Sequence, residues 1–402
     1  MRKNLLSMLS VLFIALMMAS CGEKRSYETV KGDPMQSRIY TLDNGLKVYL
    51  TVNKEAPRIQ TYIPVRVGGK NDPAETTGLA HYFEHLMFKG TESFGTQNYA
   101  EEKPLLDQIE ALFEVYRTKT DEAERAAIYH QIDSLSYEAS KLAIPNEYDK
   151  LMAAIGASGT NAYTGYDVTC YVEDIPSNQL DNWARIQADR FKNNVIRGFH
   201  TELETVYEEK NMSLTQDGRK VIDAILAALY TKHPYGTQTI LGSQDHLKNP
   251  SITNIKNFYK QWYVPNNMAI CMSGDFDYDE AMDVIEKYFG DMQPNKDLQM
   301  LDFAAEDEIT APVEGKSPST AVTDNGAAYG VYSRDVRWGV STDGVNFVSM
   351  AAGEKFVGGK YYRVFMDVNL LDGLNGNGYK FPVTTADGTV QPDVVATVNG
   401  SP

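Results

Sequence analysis

The stretch Gly78–Thr91, GLAHYFEHLMFKGT, sets two histidines four residues apart with a glutamate directly before the second. On a helix advancing about 100° per residue, with His81 at zero, His85 falls at about 40° and Glu84 at about −60°. Leu79, Phe83, Leu86 and Met87 gather between about 140° and 240° on the same wheel. Apolar residues share one face and the three polar ones the other, so core packing does not explain both imidazoles. Two histidines one turn apart can aim ring nitrogens at a single cation, and imidazole suits zinc. Glu84, held beside such a metal without ligating it, stands where a general base would take a proton from water that zinc acidifies to a pKa of about 7. H-x-x-E-H is the inverse of the more familiar H-E-x-x-H and serves the same geometry.

A catalytic zinc needs a third protein ligand and an open position. The best supply lies downstream in FHTELETVYEEKN, where Glu202 and Glu209 stand seven residues apart, within about 20° of each other on a helix. Val206 sits between them, while Glu204 and Glu208 point elsewhere. Two carboxylates on one face suit one ligand and one outer group that orients ligands or water. Spacing alone does not say which is which.

Outward from these motifs, the chain of 402 residues has 43% apolar content, enough for two or three domains with real cores. With 38 basic and 54 acidic side chains it carries a formal charge of −16, which argues against nucleic acid as a partner. Residues 1–21 read as a secretory signal: Arg2 and Lys3, an apolar run from Leu5 to Met18, then small residues before Cys21. The ending MASC resembles a bacterial lipobox, which implies lipidation at Cys21. The expected location is the bacterial cell envelope, anchored to the periplasmic or outer membrane rather than embedded in it. The remaining cysteines, Cys170 and Cys271, read as buried free thiols.

Residues 22–37 are polar and read as a linker. RIYTLDNGLKVYLTVN predicts two strands joined at Asn44-Gly45, and RIQTYIPVRVGG a third. Residues 100–144 predict a helical hairpin. One apolar stripe runs from Leu105 to Tyr116 and another from Ile128 to Leu142, and Asp121 marks the second helix start. GTNAYTGYDVTCYVEDI is a strand candidate; DNWARIQADRF, TELETVYEEKNMSL and YDEAMDVIEKYFGDM predict helices. From about residue 300 short β-type runs alternate with Gly, Asp and Asn turns, so 300–402 reads as a separate β-rich segment. The mixture predicts an α+β fold over 38–299, a mostly antiparallel sheet with helices on one face and a helical insertion at about 100–150. His200 reads as a helix-start, surface or outer-shell group, His233 as structural, and His130 and His246 as solvated.

These motifs together resemble the insulinase or pitrilysin-type zinc metallopeptidases, which include the mitochondrial processing peptidases. The likeness covers most of residues 38–295. It includes LDNGLKVYL, the H-x-x-E-H stretch, GTNAYT, ELETVYEE, HPYGTQTILGS and FYKQWYVPNNMAICMSGDF in the family's order. The resemblance implies that His81, His85 and Glu209 bind one zinc ion. It also implies that Glu84 is the general base and Glu202 the second acidic residue near the site. GTNAYT, with Asn161 and Ala162, then matches the edge strand on which the family lays out its peptide substrate. The implied activity is zinc-dependent endopeptidase cleavage of extended peptides or small proteins; the alternative is a non-catalytic peptide-binding subunit of a two-part peptidase. Two departures accompany the likeness. The gap from His85 to Glu209 is longer than usual by about the length of the hairpin. The likeness reaches only the first of the family's two halves, so either a second subunit or second copy completes the substrate chamber, or the chain is incomplete, or its activity is weak.

Overall fold

The computed structural model describes residues 25–307 continuously and, beyond them, short segments between 322 and 395. The signal sequence and Cys21 lie outside the described residues. The six strands of the main sheet are β1 (Arg38–Thr41), β2 (Lys47–Val52), β3 (Arg58–Val65), β4 (Ser158–Thr164), β5 (Thr169–Pro176) and β6 (Ala269–Gly274). Their order is β1-β2-β6-β3-β5-β4, with every neighbouring pair antiparallel except β2 and β6. The expected α+β, mostly antiparallel sheet is therefore the fold observed. Asn44-Gly45 makes the β1–β2 turn, with Gly45 at φ 87°, in the left-handed region that glycine enters without strain.

Alternation along the strands aims one row inward. In β3, Ile59, Ile63 and Val65 are fully buried, and β2 and β6 add Val48, Leu50 and Ile270. The helices are α1 (Leu79–Leu86), α2 (Tyr99–Thr118), α3 (Glu122–Ser140), α4 (Glu147–Ala154), α5 (Leu180–Lys192), α6 (Phe199–Thr215), α7 (Asp217–Leu229), α8 (Ile252–Trp262) and α9 (Tyr278–Phe289), and each of them but α7 places buried side chains in one core with that face. Helices α2 and α3 form the expected hairpin. Asn98 caps the first through the N–H groups of Ala100 and Glu101, and Asp121 caps the second through that of Glu124.

Several expectations change. GTNAYTGYDVTCYVEDI is not one strand but the hairpin β4–β5, folded back where Gly165 N–H donates to the Val168 carbonyl. The described part of the expected linker is not free: Arg25 pairs with Asp283 (2.6 Å) and Glu286 (2.8 Å) of α9, and Tyr27 packs on Tyr40. Beyond residue 307 the described elements are strands, the longest pairing joining Ala327–Ser341 to Tyr361–Leu371. Among the described residues no helix is long and apolar enough to cross a membrane.

Helix α1 is held at both ends. A helix start leaves N–H groups without partners, and its N-cap, Gly78, has no side chain to offer. Asp72 supplies the cap from six residues upstream, accepting from the N–H groups of Gly78 (2.7 Å), Leu79 (3.2 Å) and Ala80 (2.8 Å). Just before it, Thr77 Oγ1 lies 2.7 Å from Nδ1 of His246, which is therefore an anchor and not the solvated residue expected. At the other end Arg190 donates to the Met87 carbonyl, and Arg197, paired with Glu102 of α2, donates to those of Lys89 and Thr91.

Arg190 and Glu173 are both fully buried, 3.5 Å apart. Tyr148, Trp183 and Gln187 also donate to Glu173. Removing one partner of such a pair leaves an uncompensated buried charge. Arg190→Met is expected to lower stability by about 3–5 kcal/mol in chemical denaturation, and adding Glu173→Gln to recover part of that loss. A single variant within about 1 kcal/mol of wild type would remove Arg190 from this role.

Candidate metal centre

Because α1 is pinned at both ends, His81 and His85 present their rings to a cleft of about 560 Å³. Its walls are α1 with Phe88 and Lys89 just beyond it, β4, α6, Arg219 of α7, and residues Ile240 and Leu241. The polar face of α1 is roofed rather than solvated, and Glu84 is only 7% exposed. A helical wheel registers neighbours along one helix, not a strand and a helix arriving from far downstream.

Helix α6 brings Glu209 to the histidines. His81 Nε2 and His85 Nε2 are 3.3 Å apart, and Glu209 Oε2 stands 3.5 Å from each. Tetrahedral ligation at about 2.0–2.1 Å places ligand atoms about 3.3–3.4 Å from one another. The three donors thus have the spacing of three corners of a zinc shell, and their chemistry, two imidazoles and a carboxylate, is that of a catalytic site. Among the described residues no other group of His, Cys, Asp and Glu converges in this way.

Electrostatics divide the residues by task. Burial, reinforced by His85 and Arg219, pushes the pKa of His81 down to about 4, which keeps its ring neutral with one nitrogen lone pair free. Burial acts in the same direction on His85, but the hydrogen bond to Glu202 and the nearby Glu209 carboxylate outweigh it and raise its pKa. That bond, His85 Nδ1 to Glu202 Oε1 at 2.8 Å, fixes the ring so that Nε2 faces the donor cluster. Glu202 also pairs with Lys89. Burial works against its charge, yet the His85 and Lys89 bonds prevail and lower its pKa. Glu84 goes the other way: burial raises its pKa, opposed by a hydrogen bond from Thr164 to Oε2. A carboxylate made more basic beside a metal pocket is suited to accept a proton.

Asn161 and Ala162 also line the cleft, on β4, which among the described residues pairs only with β5 and so is the edge of the described sheet. His200 belongs to the first turn of α6 and contacts Tyr129 of the hairpin (3.3 Å) rather than the donor cluster. Three cleft residues escaped the sequence reading. Lys89 and Thr164 sit inside quoted motifs, Lys89 one turn beyond His85, so spacing could have raised the first. Arg219, on a helix the sequence reading did not identify, gave no signal. A separate, mainly apolar cavity of about 360 Å³ lies between the α2–α3 hairpin and residues 194–201, sharing Phe88 and Lys89 with the cleft.

Comparison with known proteins follows the same lines. The family model described as Insulinase (Peptidase family M16) matches residues 47–107, the span that holds His81, Glu84 and His85. A second, described as Peptidase M16 inactive domain, matches residues 251–338, outside the donor cluster. The chain is 24% identical over 258 residues to the probable mitochondrial-processing peptidase subunit beta of Schizosaccharomyces pombe, covering 63% of this chain and 45% of that protein. It is 21% identical over 253 residues to the uncharacterized zinc protease YmxG of Bacillus subtilis, covering 62% and 49%. The chain therefore spans about half or less of the length of these curated relatives. In fold it is similar to the periplasmic protease PqqL from Escherichia coli, with a TM-score of 0.54, 17% identity, and coverage of 78% of this chain and 29% of that one. A protease from Helicobacter pylori is also similar, with a TM-score of 0.51, 20% identity, and coverage of 79% and 60%.

Proposed function

The chain belongs to the insulinase (M16) family of peptidases, and from that premise we propose that it is a zinc-dependent endopeptidase acting on extended peptides. The observation that carries this reading is the convergence of His81 Nε2, His85 Nε2 and Glu209 Oε2 at tetrahedral spacing beside a buried carboxylate.

His81, His85 and Glu209 would hold the ion. Zinc bound there supplies a Lewis acid that acidifies water and polarises the peptide carbonyl. Thr164 occupies Oε2 of Glu84, which leaves Oε1 to take the proton of the attacking water and pass it to the departing amine nitrogen. Glu202, steadied by Lys89, holds His85 in the tautomer whose Nε2 carries the lone pair. The free edge of β4 at Asn161 and Ala162 pairs with the extended substrate through main-chain hydrogen bonds, presenting the scissile bond to the cluster. A second wall from a partner or another copy is part of this reading; the processing-peptidase relative is itself named as a subunit.

The test is peptide cleavage by purified, zinc-loaded protein across a range of chain concentrations, with and without chelator. Cleavage that stops with chelator and returns with zinc is expected. A rate per chain that rises with concentration marks a second copy as the missing wall. Cleavage indifferent to chelator would overturn the proposal.

A further inference from the structure

The cleft is acidic. Glu84, Glu202 and Glu209 line it, in a chain of formal charge −16. Two cations stand on its walls. Lys89 is committed to Glu202. Arg219, on α7, is different: its side chain is 32% exposed, and it meets Asp223, one turn on, through a contact of 3.3 Å from Nε. A guanidinium carries five N–H donors in a planar fork, and its strong carboxylate pairings are bidentate at about 2.7–2.9 Å. The Asp223 contact is longer than that and engages Nε, on one side of the fork.

Position gives this cation a use. Arg219 lines the cleft with His81, Ile240 and Leu241, while Lys89 stands with Glu202 on the Nδ1 side of His85, away from the donor cluster. A peptide paired with the edge of β4 lies along the cleft that Arg219 also lines. The acidic and lysine side chains that line the rest of the cleft are three carboxylates and Lys89, which is already paired with Glu202.

We propose that Arg219 is an anion clamp on the α7 wall of the cleft, gripping a carboxylate of the bound peptide and so selecting acidic substrates. This rests on the peptidase reading above. The carboxylate has two possible sources, an Asp or Glu side chain or the peptide's own C-terminal carboxyl group, and the shared chemistry is a fork-to-fork pair with the guanidinium.

The test uses zinc-loaded full-length protein and a peptide series. In one arm Glu is exchanged for Gln at successive positions; in the other a free C-terminus is exchanged for an amide. For wild type, kcat/KM for the acidic member is expected to exceed that of its neutral counterpart by about tenfold or more, chiefly through KM. The arm showing the difference identifies the source. Arg219→Gln is expected to bring the ratio to about one, and Arg219→Lys to restore part of it as a point charge without the fork. A merely structural arginine would depress both peptides together and leave the ratio intact. That result, or no charge preference in wild type, overturns the clamp. Binding of the same peptides to zinc-loaded Glu84→Gln protein, read by fluorescence anisotropy, gives the ratio even if nothing is cleaved. Failure of the peptidase reading is thereby separated from failure of the clamp.

Discussion

Glu84→Gln is expected to leave the zinc content of the protein at the wild-type level while lowering peptide cleavage by about 10²–10⁴-fold, the usual contribution of a positioned general base. The substitution keeps the shape of the side chain and an oxygen that can accept from Thr164, so the cleft wall stays as it is. Only the basic oxygen is lost. Glu84 is not among the three donors that converge within 4.8 Å of one another, so metal affinity and proton transfer separate in this variant. Its burial raises the carboxyl pKa and so raises the basicity of the ionised form. Metal content by elemental analysis and turnover of a fluorogenic peptide decide the matter together. A fully metal-loaded variant that cleaves within about tenfold of wild type would assign the proton transfer to another group. A variant that loses its zinc would instead make Glu84 part of the metal shell.

Much of this site was legible in the chain because its parts are local. The five residues of H-x-x-E-H share one helical turn, and the Glu202–Glu209 spacing shares one face of α6, so helical geometry alone aligned them. Which carboxylate ligates was not local. It depends on how α6 crosses α1, and the structure sets Glu209 Oε2 at 3.5 Å from both rings and Glu202 against the far nitrogen of His85. The α2–α3 hairpin was legible for the same reason, since its stripes and caps lie within each helix. The break between β4 and β5 was not. Tyr and Thr stand on both sides of Gly165–Asp167, and no Asn-Gly pair marks the turn as it does at Asn44. The parallel pairing of β2 with β6 joins Lys47–Val52 to Ala269–Gly274, a contact between distant segments that periodicity does not reveal. The burial of Glu84 follows from that long-range assembly, so its basicity belongs to the fold and not to the motif.

Glu209→Gln is expected to abolish zinc binding, because it replaces the anionic corner of the donor triangle with a weakly coordinating amide. A site of two neutral imidazoles and one carboxylate draws much of its attraction for a dication from that single charge. His81, with its pKa at about 4, needs no deprotonation at neutral pH and is ready for the ion in both proteins. Binding then reads out as stability. At free zinc about a thousandfold above Kd the native state gains about 4 kcal/mol, which raises Tm by about 8–16 °C for a domain of this size. Metal-stripped wild type should show that rise on zinc addition. The variant should show less than a quarter of it and hold less than about a tenth of the metal, since losing a group that merely orients a ligand weakens affinity by only about 10–100-fold. Glu208→Gln, one residue away on the exposed side of α6, serves as the control and should behave as wild type. Equal zinc content and equal thermal shift in Glu209→Gln and wild type would show that some other group closes the triangle, and the carboxylate 3.5 Å from both imidazoles would be a bystander.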